Sequence, residues 1–189
     1  MSFDLCNRPR NAAATRAAIL DAANERFLKD SYDQVGMRDI ARDVGVDPAL
    51  ISRYFGSKED LFSAVIEFCG DGSDLMEGDR VSFGQRVAHE VIYGPRKEFK
   101  MRWLLLMLRS IASPKAAEII QKQSNVRFLE PFTEWIGGED AEIRARLAAG
   151  LIMGLTVSRD ISGGFNMSPE QSERLLKRLA ETLQDFVDN

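Results

Sequence analysis

Residues 36–55 read GMRDIARDVGVDPALISRYF and contain two short helical patterns separated by a turn. Gly45 suits the left-handed residue that ends the first helix, because glycine adopts a positive φ without steric cost. Asp47 is a suitable N-cap for the second helix, and Pro48 follows at the first helical position, where proline is tolerated. The stretch therefore predicts a helix-turn-helix.

Apolar residues recur at helical spacing along the rest of the chain, and strand signals are nearly absent. One stripe precedes the helix-turn-helix, with Thr15 as its expected N-cap, and it contains Ile19, Leu20, Ala23 and Phe27. Ser57 and Asp60 predict a capping box at the start of the next helix, with Asp in place of the usual Glu. Five longer helical patterns follow at about residues 83–93, 97–112, 115–136, 140–161 and 169–187. The predicted fold class is therefore all-α, with about nine helices in total.

The composition suits a folded chain and excludes several classes of protein. The 189 residues carry a formal net charge of −4, and 44% of them are hydrophobic, which excludes a disordered or low-complexity chain. The two cysteines are too few for a disulfide framework or a four-cysteine zinc site. The longest apolar run has six residues, whereas a membrane span needs about 20. The first ten residues lack the apolar segment of a signal peptide, so we expect a cytoplasmic protein.

Signals of enzymatic chemistry are absent from the sequence. It contains no glycine-rich phosphate loop, no spacing of metal ligands and no nucleophile elbow. Any chemistry based on histidine would depend on His89, because the chain has one histidine. We therefore expect no enzymatic activity, no metal and no cofactor.

Three consecutive strings carry a resemblance to a known family. Residues 15–27 read TRAAILDAANERF, residues 37–46 read MRDIARDVGV, and residues 49–62 read ALISRYFGSKEDLF. Together they resemble the DNA-binding domain of the TetR family of transcriptional regulators, over a third of the chain or less. The resemblance implies an all-helical homodimer, with a helix-turn-helix DNA-binding domain at residues 1–56 and a ligand-binding and dimerisation domain at residues 57–189.

The resemblance also implies a function and a set of DNA contacts. It implies a ligand-responsive regulator, expected to be a repressor, that binds a near-palindromic double-stranded DNA operator and leaves it when a small apolar or aromatic effector binds. A recognition helix presents its N-terminal residues to base edges, so the contacts are expected there and on the adjoining helices. They are Arg38, Asp47, Pro48, Ala49, Leu50, Ser52, Arg53, Tyr54 and Lys58. Among them, Lys58 stands at the family's phosphate-contact lysine.

Two departures from the family pattern and a weak charge leave the DNA specificity open. The family often has tyrosine where Ser52 stands and histidine where Tyr54 stands, so the operator cannot be transferred from relatives. Residues 1–65 hold nine basic and ten acidic side chains. The basic residues Arg8, Arg10 and Arg16 cluster before or at the first helix, where an N-terminal arm or a first-helix end near the DNA backbone would use them. An alternative function is therefore a helical small-molecule or protein-binding module that has lost specific DNA binding.

The C-terminal part contains the candidates for dimer and effector contacts. Small residues four apart allow close helix approach, and the dimer interface is expected at Gly150, Leu151, Gly154, Val157, Leu175, Leu179, Leu183 and Phe186. The effector pocket is expected to be lined by Trp103, Met107, Phe128, Phe132 and Met153, with His89 as a polar anchor. Each of these residues could instead belong to the chain's own core. The effector, the operator and the regulated genes do not follow from the sequence.

Overall fold

The computed structural model describes residues 8–68, 73–95 and 98–188. Side chains are described for residues 12–68, 74–95 and 104–188. Ten α-helices make up most of this part of the chain. They are α1 (Arg8–Lys29), α2 (Met37–Val44), α3 (Pro48–Phe55), α4 (Lys58–Phe68), α5 (Phe83–Tyr93), α6 (Glu98–Ser110), α7 (Pro114–Ser124), α8 (Glu130–Ile136), α9 (Ala141–Ile161) and α10 (Pro169–Asp188). No β-strand occurs within these ranges, so the all-α prediction is confirmed. The π-helical segment Asn125–Leu129 joins α7 to α8 without a break, as the single pattern at 115–136 predicts.

The first helix is longer than the sequence suggested. It begins at Arg8, so Thr15 lies inside α1 and the prediction of Thr15 as the N-cap is wrong. Three consecutive alanines, residues 12–14, precede Thr15. Alanine has the highest helix propensity, and this run carries the helix past the expected start.

The chain packs as two compact units. The head unit comprises Met1–Gly70 and Arg102–Gln123, and the C-terminal unit comprises Asp71–Met101 and Ser124–Asn189. This division differs from the boundary expected between residues 56 and 57. The physical reason is that α4 and a later segment of the chain complete the core of the head.

The core of the head unit is built around three aromatic rings. The ring centroids of Phe27, Tyr32 and Phe62 lie between 4.8 and 5.9 Å apart in each pair. Other buried side chains around them are Ile19, Ala23, Ile40, Ile51, Leu61, Val65, Leu106, Ala116 and Ile120. A unit of only α1, α2 and α3 would bury little apolar surface, and residues from α4, α6 and α7 enlarge its core.

Two polar contacts attach residues 109–113 to the rest of the head unit. The hydroxyl of Ser113 donates a hydrogen bond to a carboxylate oxygen of Asp33 over 2.9 Å. The guanidinium of Arg109 donates to the carbonyl oxygen of Lys29 at the end of α1. The turn between α6 and α7 is thereby fixed to the segment between α1 and α2.

In the C-terminal unit, α5 and α10 pack closely at Gly84. A Cβ atom on Gly84 would lie 2.8 Å from the backbone nitrogen of Gln184 and closer still to the carbonyl oxygen of Ala180, so a larger residue does not fit. The backbone N–H of Gly84 donates to Oε1 of Gln184 over 2.9 Å. The surrounding core contains Phe83, Val87, Val91, Phe132, Ile136, Ala145, Ala148, Ile152, Leu176, Leu179, Leu183 and Val187.

Three arginines of the C-terminal unit bind carbonyl groups at the ends of helices. Arg159, which is 7% exposed, donates to the carbonyl oxygens of Val91 and Gly94 at the end of α5, over 2.6 and 3.2 Å. Arg80 and Arg144 donate to carbonyl oxygens at the ends of both α8 and α10. These bonds satisfy acceptors that a helix terminus leaves without an intrahelical partner. Across the ranges that the structure covers, no helix is both long and apolar enough to cross a bilayer.

Candidate DNA-binding site

The end of α2 sets the direction of the helix-turn-helix. Gly45 has φ 74° and ψ 34°, the left-handed conformation expected from the sequence. Its backbone N–H donates to the carbonyl oxygen of Arg42 over 3.3 Å, and the N–H of Val46 donates to that of Ala41 over 3.0 Å. This pair of bonds is the Schellman motif, so the predicted helix end is confirmed.

The start of α3 is fixed by Asp47 and Pro48. Oδ1 of Asp47 accepts a hydrogen bond from the backbone N–H of Ala49 over 2.7 Å, and Pro48 stands at the first helical position. Both predicted cap roles are confirmed. The cap roles alone explain why Asp47 and Pro48 stand at these positions. A contact from either residue to DNA stays a prediction.

One face of α3 points away from the core. Ile51 is fully buried, while Leu50, Tyr54 and Phe55 are partly buried on the same side of the helix. The exposed residues are Pro48, Ala49, Ser52 and Arg53. Their spacing of one, three and one positions puts them on a single side of the helix. Four of the nine predicted DNA contacts therefore share an accessible surface on the recognition helix.

An ion pair between α1 and α2 holds the helix-turn-helix in place. Nε and Nη2 of Arg26 donate to the two carboxylate oxygens of Asp43 over 2.5 and 2.8 Å. The hydrogen bonding between the two side chains lowers the pKa of Asp43 and raises the pKa of Arg26. The two residues are 17 positions apart, so no local pattern in the sequence indicates this contact.

The remaining cations of the head unit separate into paired and unpaired groups. Among residues 12–68, Arg26 and Arg42 form ion pairs, the latter with Asp39 at 3.1 Å. Lys29 lies in the last turn of α1, where the helix dipole favours a cation. The cations without an ion pair to a carboxylate within this described range are Arg16, Lys29, Arg38, Arg53 and Lys58. Three of them are predicted DNA contacts, and their charge is available to an anion.

Lys58 opens α4 and lies over an aromatic ring. Its Nζ is 4.3 Å from the ring centroid of Tyr32, and its partial burial lowers its pKa. Burial also raises the pKa of Tyr32 to about 12, so the ring stays neutral. The partial positive charge of a helix N-terminus disfavours a nearby cation such as Lys58. It attracts a phosphate, however, and Lys58 attracts the same phosphate, so this position favours phosphate binding.

The capping box before Lys58 is present as predicted. The backbone N–H and the hydroxyl of Ser57 donate to Oδ2 of Asp60 over 2.9 and 2.7 Å, and the backbone N–H of Asp60 donates to Oγ of Ser57 over 3.1 Å. The hydrogen bonds from Ser57 lower the pKa of Asp60. The start of α4, and with it Lys58, is therefore held in a defined position.

The predicted effector residues are distributed over both units. Met107 packs against the core of the head unit, whereas Phe128 and Phe132 belong to the core of the C-terminal unit. Met153 is 40% exposed on α9, and the side chain of Trp103 lies outside the described residues. The predicted set is therefore not assembled around one cavity within either unit.

His89 lies on the exposed side of α5, beside a cleft. The cleft has a volume of about 510 Å³ and is lined by Asp74, Leu75, Gln85, Arg86, Val87, His89 and Glu90. Five of these seven lining residues have polar or charged side chains, whereas the sequence predicted an aromatic lining. The imidazole lies 5.3 Å from the ring of Tyr93, centroid to centroid.

The predicted dimer residues differ in their accessibility. On α9, Gly150 and Gly154 face open space, since a Cβ atom on either would meet nothing within 4 Å. Leu151, Val157, Leu175 and Phe186 are partly buried. Leu179 and Leu183 on α10 are 4% and 0% exposed in the core of the C-terminal unit. Within the single chain these two side chains are covered by their own core, and their role as interface residues stays a prediction.

Comparisons with known families and structures agree with this geometry. Residues 19–65 match the family model of bacterial regulatory proteins of the tetR family, and residues 82–187 match that of the tetracyclin repressor-like C-terminal domain. The second match covers more than half of the chain. No curated protein sequence matches.

Several solved structures have the same fold. NalD of Pseudomonas aeruginosa, the secondary repressor of the MexAB-OprM multidrug efflux pump, is 25% identical, with a TM-score of 0.67 over 92% of this chain and 97% of that one. GusR of Salmonella enterica is 19% identical, with a TM-score of 0.67 over 98% and 100%. A TetR-family regulator of Streptomyces coelicolor is 22% identical, with a TM-score of 0.55 over 94% and 96%.

The helix-turn-helix, its accessible recognition face and the two family matches lead to one conclusion. The chain belongs to the TetR family of bacterial regulatory proteins and is a DNA-binding transcriptional regulator.

Proposed function

We propose that the protein is a repressor that binds a near-palindromic operator as a homodimer and leaves it when a small-molecule effector binds. The main support for the proposed DNA contacts is a set of cations without ion pairs to carboxylates of residues 12–68, one on the exposed face of α3 and two at the starts of the adjoining helices. Arg53 lies on that face, Arg38 lies at the start of α2, and Lys58 starts α4. In this arrangement the N-terminal part of α3 enters the major groove, and Lys58 binds a phosphate.

The base contacts on α2 and α3 come from side chains of different chemistry. Arg53 and Arg38 donate several hydrogen bonds, which suits the acceptors of guanine or a phosphate. Ala49 and Leu50 offer methyl groups for thymine, and Ser52 offers a hydroxyl. With a net charge close to zero over the head, we expect weak non-specific affinity and a strong dependence on the operator sequence.

An apolar stripe along α9 supports the homodimer. It runs through Ile143, Leu147, Gly150, Gly154, Val157 and Ile161, with alternating steps of four and three residues. Ile143, Leu147 and Ile161 are 57%, 53% and 73% exposed. Burying a side chain of this size is worth about 1.5–3 kcal/mol, and the two glycines allow the partner's helix to come close. We therefore place α9 against its copy in the dimer.

The effector is proposed to bind the C-terminal unit. The cleft beside α5 offers apolar contacts from Leu75 and Val87 and polar contacts from Gln85 and His89. Such a lining suits a molecule with an apolar body and at least one hydrogen-bonding group. The effector has to prefer the DNA-incompetent state, and a coupling of about 1–3 kcal/mol weakens operator binding by roughly 5–150-fold.

The test is to select duplexes from a random DNA pool with the full chain, then to titrate the enriched duplex against salt. We expect a near-palindrome bound by a dimer, with half-sites about one helical turn or a multiple of it apart. A folded protein that enriches no sequence at low salt would refute DNA recognition and favour the binding-module alternative.

A further inference from the structure

Arg16 of α1 lies over the ring of Phe55, in the last turn of α3. The centre of its guanidinium is 4.7 Å from the ring centroid. Arg16 is exposed, and it forms no ion pair with a carboxylate in the range 12–68. Phe55 is partly buried and packs against the core of the head unit. The ring is therefore fixed, and it holds the charge of Arg16 at the end of the recognition helix.

We propose that Arg16 is a further DNA-backbone contact, which binds a phosphate beside the half-site read by α3 and is positioned by Phe55. The proposal rests on the operator binding proposed above. It extends the DNA-binding surface from the helix-turn-helix to α1. The sequence groups Arg16 with Arg8 and Arg10 as basic residues near the DNA backbone, and the contact with Phe55 gives Arg16 a defined position there.

The chemistry of arginine allows both contacts at once. Guanidinium is planar, and its five N–H donors point outward within that plane. A ring beneath the guanidinium contacts its face and uses none of these donors. Phosphate oxygens accept such donors in pairs, so an arginine held over a ring remains able to bind a phosphate.

Lys58 shows the same arrangement three residues after Phe55. Its Nζ lies over the ring of Tyr32, as the guanidinium of Arg16 lies over Phe55. Residues 55–58 thus form a short turn that carries one cation of its own and holds a second cation from α1. Two positive charges on this turn, each packed on a fixed ring and neither in an ion pair with a carboxylate of residues 12–68, suit neighbouring phosphates of one strand.

The experiment compares operator affinity at several salt concentrations for the wild type, Arg16→Gln and Arg42→Gln. Both variants lose one positive charge per subunit, but Arg42 is already paired with Asp39 at 3.1 Å. The slope of log K against log salt is negative, and each lost phosphate contact reduces its magnitude by about 0.9. Arg16→Gln should therefore reduce the magnitude by about 1.8 per dimer. Between 50 and 200 mM salt, the wild type should then lose roughly tenfold more affinity than Arg16→Gln. Arg42→Gln should keep the wild-type slope.

Two further variants separate a DNA contact from a structural role. Arg16→Lys keeps the charge and should recover most of the slope. Phe55→Leu keeps an apolar side chain but removes the ring, and adding it to Arg16→Gln should cause no further change in slope. Circular dichroism of each variant checks that the head is folded.

Three results would overturn the inference. A wild-type slope in Arg16→Gln, with weaker binding or without it, would mean that Arg16 touches no phosphate. A slope reduced equally in Arg16→Gln and Arg42→Gln would mean that net charge alone is responsible. If the wild type itself selects no operator, the proposed function fails together with this inference, whereas the first two results leave the proposed function intact.

Discussion

Replacing Gly84 by alanine should destabilise the C-terminal unit strongly, although alanine is the better helix former. The added Cβ would lie 2.8 Å from the backbone nitrogen of Gln184 and 2.9 Å from its Cβ, with the carbonyl oxygen of Ala180 closer still. Real Cβ atoms essentially never approach other atoms closer than 3.0 Å. The obstacle is the backbone of α10, which cannot rotate away as a side chain would, so α5 and α10 have to separate.

The size of the loss follows from the core around this contact. Phe83, Val87, Val91, Leu179 and Leu183 are at most 4% exposed between the two helices, and burial of such side chains contributes about 2 kcal/mol each. A separation of about 0.5–1 Å forfeits a quarter to a half of the packing energy at such a contact. The gain in helix propensity is about 1 kcal/mol, so we expect a net loss of about 1.5–4 kcal/mol.

Urea unfolding followed by the fluorescence of Trp135 measures this loss. Trp135 lies 5.2 Å from the ring of Phe83, centroid to centroid, and reports on the same core. Every protein in the series carries Trp103→Phe and is measured at one concentration, because dimerisation would shift the midpoint. Gln85→Ala is the matched control, since Gln85 is the exposed neighbour of Gly84 and should change the free energy of unfolding by less than about 0.5 kcal/mol. A Gly84→Ala protein as stable as the parent would refute the close approach of α5 and α10.

Three other substitutions give separate tests. Gly154→Leu adds a side chain into open space within the chain, so each subunit should fold normally while sedimentation velocity shows a dimer at least about tenfold weaker; an unchanged dimer would count against α9 as the interface. Arg159→Met leaves the carbonyl oxygens at the end of α5 and the buried carboxylate of Asp160 without their partner, so it should cost about 3–5 kcal/mol in chemical unfolding, and a loss below about 1 kcal/mol would contradict the cap. Asp60→Asn should destabilise α4 at neutral pH, because the folded-state pKa of Asp60 is lowered by Ser57: the contribution of the carboxylate is complete above its unfolded pKa of about 3.9 and is lost as the pH falls through the lower folded value. The stability difference between wild type and Asp60→Asn should therefore shrink in acid, and a difference independent of pH would exclude the capping carboxylate as its cause.

The helix-turn-helix was predictable from the sequence because its determinants are local. The left-handed Gly45, the cap at Asp47 and the capping box of Ser57 and Asp60 all act within five residues along the chain. Such interactions need no distant partner, so residue type and spacing are sufficient to predict them. Thr15 is the exception, because a cap residue ends a helix only when the preceding residues do not continue it.

The contacts that assemble the units were decided by tertiary packing. Arg26 and Asp43 are 17 positions apart, and Ser113 and Asp33 are 80 positions apart. An apolar stripe specifies that a helix face is buried, but it does not specify which neighbour covers it. The apolar patterns of α9 and α10 therefore both predicted a dimer face. The structure distinguishes them, because Leu183 lies inside the chain's own core whereas Gly154 faces open space. The sequence by itself determined the helices and the recognition face, since these depend on neighbours along the chain. The tertiary structure decided which faces remain exposed to bind, because burial depends on residues that are distant in sequence.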